Sequence, residues 1–481
     1  MAEQIKYYKA KQIVVWDKGE HRILENGYLG VKGTQIEGFH RSIPEGAPCE
    51  DLGNAAITPG FINLHSHPSE VYTIKSYLED TGNVCFYESG LYDTLGAVGL
   101  GENAPYLQTK INLAEMLKSG CTTITIFGGP YSRLEAQTAG DMGIRAYVGA
   151  GIRAGDAMEE KNIWYSPDGH SLVYDLDEKE GMERIREAED FVRDFEGSYE
   201  GRIRTLLGPT QSMTCTPAML TRTRETADRL GVGVSIHIAE AAMEFESCMR
   251  MYGKTPVQMV ADTGLLGEDV IIAHCVYVTG HSKINMHGDG DLKILGGKKV
   301  TVAHSPTPFI RKGEVFESFE KYGNYGVNVG IGTDAFPSDI IQEMRLAAIV
   351  GKTAEQTTFT ATAKDMFNAV TVNGAKAFGR TDIGRLAPGA KADFVVFDLE
   401  NIEMTPIRDL IKNIVYSSTR HSVDRVYVDG RCLVKGGQVE GFDEKALCRE
   451  LQESAERAWA EASEFGDVEA NFPRSFSLLE E

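Results

Sequence analysis

The stretch "AAITPGFINLHSH", residues 55–67, begins the pattern on which the fold prediction depends. It is an apolar run that ends in two histidines one residue apart. Because side chains alternate between the two faces of a β-strand, His65 and His67 point to the same side. Two imidazoles on one side of a strand can bind one metal ion, although an isolated H-x-H also occurs on protein surfaces by chance. Other strands must supply the remaining ligands if this is a metal site.

Seven further runs rich in apolar and β-branched residues follow, and segments with helical spacing separate them. They are CTTITIF (121–127), RAYVGAG (145–151), IRTLLGP (203–209), VGVSIHIAE (232–240), VIIAHC (270–275), VTVAHSP (300–306) and NVGIGTD (328–334). Several of the intervening segments end in glycine, as helices often do. Eight buried strands that alternate with helices are typical of a parallel (β/α)₈ TIM barrel, so the predicted fold class is α/β.

Short strands and turns flank this region on both sides. Residues 4–60 and the later pieces "AKADFVVFD" and "VDRVYVDGRCLVKGGQ" have similar, strand-rich compositions. We therefore predict that the two chain ends form one small β-sandwich domain beside the barrel. The predicted division is a small β domain from 1–57 and 384–440, a barrel from 58–383 and a helical tail from 441–481.

The composition excludes several classes of partner. The 481 residues include 70 acidic and 49 basic ones, and the net charge of −21 would repel nucleic acid and anionic membranes. We find neither a run of about 18 apolar residues nor a secretory leader, so we expect a cytoplasmic protein that does not bind membranes. The eight cysteines form no C-x-x-C pair, and we expect neither disulfides nor a thiolate zinc site.

Titratable side chains cluster where the predicted strands end. In a TIM barrel the active site lies at the C-terminal ends of the strands. Taken singly, each side chain has an ordinary explanation, such as a core histidine, a helix-capping aspartate or a solvated glutamate. Their shared register on different strands favours a common site instead. The strand-end residues are His65, His67, His237, Glu240, His274, His304 and Asp334.

The side chains at these ends suit a catalytic metal. Imidazole and carboxylate ligands favour Zn²⁺, with Fe²⁺ as the alternative, and three histidines with one aspartate leave a position for water. A metal ion lowers the pKa of such a water molecule, so that it becomes a nucleophile near neutral pH. The ends of strands three and four, "VGAGIRAG" and "LLGPTQS", carry no carboxylate or lysine that could bridge a second ion. We therefore predict one divalent metal ion.

Five motifs together resemble the amidohydrolase superfamily: "PGFINLHSH", "HIAE", "AHC", "GTDA" and "GRLAPGAKADFVVFD", which lie within residues 58–398. The chain is most similar to the mononuclear branch of triazine and chlorohydrolase-like (ATZ/TRZ) enzymes, which is related to cytosine and guanine deaminases. The resemblance implies a homo-oligomer and a metal bound by His65, His67, His237 and Asp334. It also implies that Glu240 shuttles protons and that His274 polarises the attacked group or the water.

The implied activity is metal-dependent hydrolysis of an electron-poor C–N bond in a small, nitrogen-rich heterocycle. General acid–base catalysis by Asp334 and Glu240 agrees with this chemistry. An amide or urea hydrolase and a dechlorinase would use the same residues. A non-catalytic scaffold relative is the remaining alternative, although such a protein would be expected to lack ligands.

One stretch departs from the resembled pattern. Relatives that act on heterocyclic amines usually carry an N-P-x-S-N-like stretch after strand seven, whereas residues 304–314 read "HSPTPFIRKGE". Without the usual amide side chains in this stretch, Arg311 or Lys312 would contact an anionic substituent of the substrate instead. Aromatic residues after strand one (Tyr72, Tyr77, Phe86, Tyr87 and Tyr92) either form a lid over a flat ring or pack their loop onto the barrel. The predicted substrate contacts are His304, Gln211, Arg311 and Phe86.

Overall fold

The structure is a computed structural model. It describes residues 4–77, 79–80, 103–155, 163–165, 172–463, 474–476 and 479. Three members of the predicted aromatic lid, Phe86, Tyr87 and Tyr92, lie outside the described residues, and so does the predicted substrate contact at Phe86.

Eight parallel strands form the barrel, which confirms the predicted fold class. In chain order they are β6 (Phe61–Asn63), β7 (Cys121–Ile126), β8 (Arg145–Ile152), β11 (Ile203–Pro209), β12 (Gly233–Ile238), β13 (Val270–His274), β14 (Thr301–His304) and β15 (Asn328–Ile331). Each strand pairs with its neighbour in the chain. The circle is completed between β15 and β6, because Leu64 N donates to Ile331 O over 2.9 Å. Ser66 also forms a parallel bridge to Asp334.

The chain ends build a second sheet of nine strands. They are β1 (Ile5–Asp17), β2 (Glu20–Lys32), β3 (Gln35–His40), β4 (Cys49–Asp51), β5 (Ala55–Pro59), β16 (Phe394–Asp398), β17 (Val423–Val428), β18 (Arg431–Lys435) and β19 (Gln438–Val439). The two ends join through antiparallel pairing of β16 with β5. The prediction of one unit from both ends is thus correct. The nine strands are joined by hydrogen bonds into one sheet. A further short pair, β9 (Ile163–Tyr165) and β10 (Leu172–Tyr174), stands apart from both sheets.

The quoted stretch 55–67 is shared between the two sheets. Its first half is β5 in the outer sheet, and its second half enters the barrel as β6. Gly60 lies at the junction, where an added Cβ atom would approach Thr122 Oγ1 to 2.1 Å. A continuous apolar run therefore contains a change of sheet, and only a residue without a side chain fits at that point.

Helices cover the outside of the barrel. They are α1 (Ala104–Lys118), α2 (Ser132–Met142), α3 (Glu178–Phe195), α4 (Ser198–Gly201), α5 (Pro217–Leu230), α6 (Ala242–Tyr252), α7 (Pro256–Asp262), α8 (Gly290–Lys298), α9 (Pro306–Ile310), α10 (Phe319–Asn324), α11 (Ile340–Glu355), α12 (Ala363–Ala369), α13 (Val372–Ala377), α14 (Leu410–Tyr416) and α15 (Glu444–Ser463). Two 3₁₀ turns span Tyr72–Ile74 and Arg420–Ser422. Local signals account for many helix ends: in α5, Thr216 caps the first turn, Pro217 follows it and Gly231 ends the helix with φ 70°.

Buried polar contacts join these parts. The guanidinium of Arg145, at the start of β8, bonds to Asp393 at 3.0 Å and to Asp429 at 2.8 Å. These two aspartates lie directly before β16 and directly after β17 of the outer sheet. The tail helix α15 packs on α1, and Trp459 Nε1 donates to Thr73 O over 2.9 Å. No described helix is both long enough and apolar enough to span a membrane.

Candidate active site

Four predicted ligands meet at the C-terminal end of the barrel. His65 and His67 follow β6, His237 lies in β12, and Asp334 follows β15. One ligand atom from each of these side chains lies within 4.8 Å of the others. His65 Nε2 is 3.0 Å and His67 Nε2 is 3.5 Å from Asp334 Oδ1. Side chains that are far apart in the sequence therefore converge on one point.

The ring nitrogens of this cluster are available as ligands. His237 Nδ1 donates to Thr210 O over 2.6 Å, which leaves the lone pair of Nε2 to face the cluster. Both nitrogens of His65 are buried and make no hydrogen bond, even though Asp334 is near. Phe127 packs on the His237 ring at 4.3 Å between centroids. Buried polar atoms without partners normally signal a missing partner, and a cation fits this donor set.

The protonation state of the three histidines is the one that metal binding requires. Burial lowers the pKa of His65, His67 and His237 to about 3. The three imidazoles are therefore neutral at physiological pH, and neutral imidazole is the form that ligates a metal.

Glu240 and His274 lie beside the four ligands. His274 Nε2 is 4.0 Å from Glu240 Oε1 and 3.9 Å from Asp334 Oδ1. Burial raises the pKa of Glu240 to about 8, while the charge of Lys312 and a hydrogen bond from Gln211 oppose that rise. Burial also lowers the pKa of His274 well below its ordinary value. The site thus combines a carboxyl group that holds a proton near neutral pH with a neutral imidazole.

The backbone is strained at the same strand ends. Ala239, His274 and Asp334 have φ values of 55°, 71° and 60°, in the left-handed region that non-glycine residues rarely adopt. Strain of this kind concentrates at functional sites, where surrounding contacts hold it in place. Here Asp334 N donates to His65 O over 2.9 Å and His67 N donates to Asp334 O over 2.8 Å.

Two buried residues that the sequence analysis missed support these loops. Glu244 of α6 accepts hydrogen bonds from Ala239 N at 3.0 Å, from Glu240 N at 2.7 Å and from the Ser212 hydroxyl. Asn63 accepts from His65 N at 3.2 Å and from Thr333 N at 3.1 Å. Both side chains accept hydrogen bonds from backbone N–H groups. The sequence spacing of metal ligands and acidic residues therefore does not reveal them. A second glutamate four residues after Glu240 was the only signal available for Glu244.

The predicted substrate contacts differ in their surroundings. Gln211 is buried beside Glu240 and forms a parallel bridge to His237. His304 ends β14 and stacks on Phe316, with 4.5 Å between ring centroids. Arg311 is engaged elsewhere, because it donates to Phe336 O over 2.5 Å and lies 3.4 Å from Glu79. Roles for these three residues in substrate binding stay predictions.

Residues 56–433 match the family model described as "Amidohydrolase family". The chain belongs to the amidohydrolase family. The resemblance drawn from the five motifs is thus confirmed, and the chain is a hydrolase of carbon–nitrogen bonds other than peptide bonds.

Curated deaminases are similar to this chain over most of its length. A 5'-deoxyadenosine deaminase of Methanosarcina barkeri is 30% identical over 445 residues, covering 92% of this chain and 94% of the relative. A 5-methylthioadenosine/S-adenosylhomocysteine deaminase of Moorella thermoacetica is 34% identical over 402 residues, covering 82% of this chain and 86% of the relative.

Solved structures show the same fold at lower identity. An adenosine deaminase from Xanthomonas campestris with bound zinc has a TM-score of 0.79 and 23% identity, covering 96% of this chain and 100% of that one. The atrazine chlorohydrolase TrzN from Arthrobacter aurescens, complexed with zinc, has a TM-score of 0.79 and 19% identity, covering 93% of this chain and 99% of that one. At these identities the likeness supports the fold of this amidohydrolase and leaves its substrate open.

Proposed function

We propose that this amidohydrolase is a metal-dependent deaminase that replaces the amino group of a purine-like heterocycle by oxygen and releases ammonia. One observation carries the proposal. A cluster of neutral imidazoles and Asp334 lies next to a buried carboxyl group, Glu240, whose pKa is raised to about 8. The curated relatives at 30% and 34% identity are named as deaminases of adenosine derivatives, which supports the same chemistry.

His65, His67, His237 and Asp334 would hold one divalent ion. Zinc is our first choice, since two structurally similar proteins are described with zinc, and iron is the alternative. Bound there, the ion would supply a Lewis acid that makes water nucleophilic near neutral pH. Strands β8 and β11 end in Ile152 and Pro209, and the described residues that directly follow them, 153–155 and 210–213, include no carboxylate or lysine that could bridge a second ion, which supports a single ion.

The protein's own groups then move the protons. As water attacks the carbon that bears the amino group, Asp334 accepts one water proton and Glu240 donates its proton to the adjacent ring nitrogen. The tetrahedral carbon collapses when the amino group takes the proton from Asp334 and leaves as ammonia. Glu240 recovers a proton from the new hydroxyl group, so heterocyclic amine and water give the oxo product and ammonia. His274, about equally distant from both carboxyl groups, orients the attacking oxygen.

The protonation of Glu240 favours deamination over dechlorination. A chloride ion leaves without a proton, whereas ring protonation and departure of an amine both need a proton donor. A carboxyl group with a pKa of about 8 serves that purpose at neutral pH. The scaffold alternative loses support because all six proposed metal and acid–base residues are present and lie close together.

Metal analysis coupled to an ammonia-release assay tests the proposal. We expect about one zinc or iron per chain and ammonia from adenine nucleosides or related aminoheterocycles, with chlorotriazines as the comparison substrates. Glu240→Gln should retain the metal and lower kcat by about a hundredfold or more, since a general acid contributes about 10²–10⁴. Its matched control is Glu246→Gln, at an exposed position of α6. A metal-free protein, or near-normal turnover of Glu240→Gln, would contradict the proposal.

We further propose that the enzyme is a cytoplasmic homo-oligomer. Seven cysteines in the described part of the chain are free thiols, which supports a reducing compartment. Phe359, which follows α11, is 89% exposed, which supports contact with a second copy. Light scattering during gel filtration measures the mass, and a monomeric mass would contradict the oligomer.

A further inference from the structure

The carboxylate of Glu115, in α1, joins two loops that carry proposed metal ligands. Only 15% of its side-chain surface is exposed. Glu115 Oε2 accepts hydrogen bonds from the hydroxyl group of Tyr72 and, over 3.1 Å, from Ser338 N. Tyr72 follows His67 by five residues, and Ser338 follows Asp334 by four. One oxygen atom of Glu115 therefore binds both loops.

The same two loops also pack against each other between Glu115 and the ligands. At the ligands, His67 N donates to Asp334 O over 2.8 Å. Further along, the ring of Tyr72 lies 6.4 Å from the ring of Phe336, measured between centroids. Both rings belong to a buried apolar cluster, whose buried members are Val71, Tyr72, Ile74, Ala335 and Phe336. The loops after β6 and β15 thus form one packed unit, with ligand backbone at one end and Glu115 at the other.

Tyr72 is fixed at its backbone as well as at its ring. The side chain of Gln108 accepts hydrogen bonds from Tyr72 N at 2.6 Å and from Thr73 N at 3.2 Å. Lys75 Nζ lies 3.5 Å from the centroid of the Tyr72 ring. Burial and the charge of Glu115 raise the pKa of Tyr72 well above its ordinary value, so the hydroxyl group keeps its proton and donates it to Glu115 in a hydrogen bond. Of the two roles that the sequence offered for Tyr72, these contacts support packing of its loop onto the barrel.

The second oxygen of Glu115 binds a segment next to the outer sheet. Oε1 accepts a hydrogen bond from the guanidinium of Arg420, in the 3₁₀ turn directly before β17. Burial raises the pKa of Glu115, but the hydrogen bonds from Tyr72 and Ser338 and the charges of Lys75 and Arg420 outweigh burial, and the pKa lies below its ordinary value. Glu115 is therefore ionised, and hydrogen bonds to an ionised acceptor are the strong ones.

We propose that Glu115 is a positioning residue of the metal site, which through Tyr72 and Ser338 holds the loops after His67 and Asp334 so that both supply ligands to one ion. The inference rests on the proposed function, from which it takes the set of ligands. Loops that are ordered before the ion binds lose less conformational freedom on binding, so the ion is held more tightly. Because Glu115 acts on the ligands through the two loops, its effect should appear in the metal affinity.

A comparable contact at another loop provides a control. Glu343 of α11 is fully buried and accepts hydrogen bonds from Thr307 N over 3.0 Å and from the Thr307 hydroxyl. Thr307 lies in α9, which follows β14, and the segment after β14 carries none of the four proposed ligands. Tyr72→Phe and Thr307→Val each remove one hydroxyl donor from a buried carboxylate, and only the first change affects a loop with a proposed ligand.

Zinc dissociation constants, measured by competition with a chelator, test the assignment without turnover. Tyr72→Phe should weaken zinc binding by about threefold to tenfold and Glu115→Ala by about tenfold or more, since lost partners around metal ligands lower the affinity by about 10–100-fold. Glu115→Gln keeps one acceptor oxygen for the two loops and should lose less affinity than Glu115→Ala. Thr307→Val should bind zinc within about twofold of the unmodified protein. Arg420→Met should do so as well, because it leaves both loop contacts in place.

Urea unfolding of the metal-free variants separates positioning from general stabilisation. A contact that only stabilises the fold would lower the free energy of unfolding and leave the zinc affinity of the folded protein unchanged. We expect Tyr72→Phe and Thr307→Val both to be less stable than the unmodified protein, and Tyr72→Phe alone to lose zinc affinity. Circular dichroism establishes that each variant is folded before zinc is added.

Two results would overturn the assignment alone. One is a Tyr72→Phe variant that binds zinc as tightly as the unmodified protein, a result that does not depend on the folding of Glu115→Ala. The other is an equal loss of zinc affinity in Tyr72→Phe and Thr307→Val, because the loop that carries ligands would then have no special part. An unmodified protein that binds no zinc would instead reject the proposed metal site and the role of Glu115 together.

Discussion

Replacing Glu244 by glutamine should disturb the loop that carries Glu240. In the structure the buried carboxylate of Glu244 accepts hydrogen bonds from the backbone N–H groups of Ala239 and Glu240 and from the Ser212 hydroxyl. Ala239 is held at a φ of 55° by these bonds. The side-chain amide of glutamine has only one acceptor oxygen, so its NH₂ group would face a donor.

The expected magnitude follows from these contacts. Loss of one hydrogen bond to a charged group costs about 1.5–3 kcal/mol, and a buried N–H group left without an acceptor costs about 1–3 kcal/mol. Because the loop relaxes in part, we expect the free energy of unfolding to fall by about 3 kcal/mol. A displaced Glu240 should lower kcat by about tenfold to a hundredfold, since a misplacement of about 1 Å has effects of that size.

Urea unfolding and steady-state kinetics of the metal-loaded protein measure both effects. Metal content should not change, because Glu244 bonds to the loop and not to the four proposed ligands. The matched control is again Glu246→Gln, which removes the same charge from an exposed position of α6. If Glu244→Gln kept both the stability and the kcat of the unmodified protein, the loop would not depend on this carboxylate.

Two further predictions concern residues outside the site. His21 packs between Trp16 and Phe367, and burial lowers its pKa to about 4. The unfolded chain therefore binds a proton at His21 more tightly than the folded chain does. The free energy of unfolding falls as the pH drops from 6.5 towards 4. Between pH 7.5 and pH 5 the unmodified protein should lose about 2 kcal/mol more unfolding free energy than His21→Gln; equal pH slopes in urea titrations would contradict this. Gly60→Ala should lower stability by about 1–3 kcal/mol through overpacking against Thr122. Gly297→Ala should not lower it, because a Cβ atom at that position meets nothing within 4 Å. Thermal unfolding compares the two variants, and equal melting temperatures would refute the packing argument.

The sequence predicted the barrel and the close approach of the metal-site candidates for the same physical reason. Parallel strands place their C-terminal ends at one edge, so a polar residue at the end of each apolar run predicts a shared location. His237 and Asp334 are 97 positions apart in the printed numbering, yet their ligand atoms meet. Strand register alone was sufficient to predict this proximity.

Other features of the structure could not be predicted from the pattern of residues in the sequence. The run at 55–67 is apolar on both sides of Gly60, so it did not indicate a change of sheet. Pairing of β16 with β5 joins distant segments, and composition does not specify whether such strands form one sheet or two. Glu244 binds backbone N–H groups whose positions exist only after folding. The different surroundings of Arg311 and Lys312 likewise arise from the turn after α9.

The change of sheet at Gly60 has a consequence for protein engineering. Four residues lie between this glycine and His65, so the outer sheet is covalently continuous with the strand that leads to two proposed metal ligands. The buried bonds of Arg145 to Asp393 and Asp429 fasten the same two parts at a second place. A chimera that exchanged only the barrel would cut both connections at once. The interchangeable unit in this enzyme is therefore the barrel together with both chain ends, and recombination libraries should keep them from one parent.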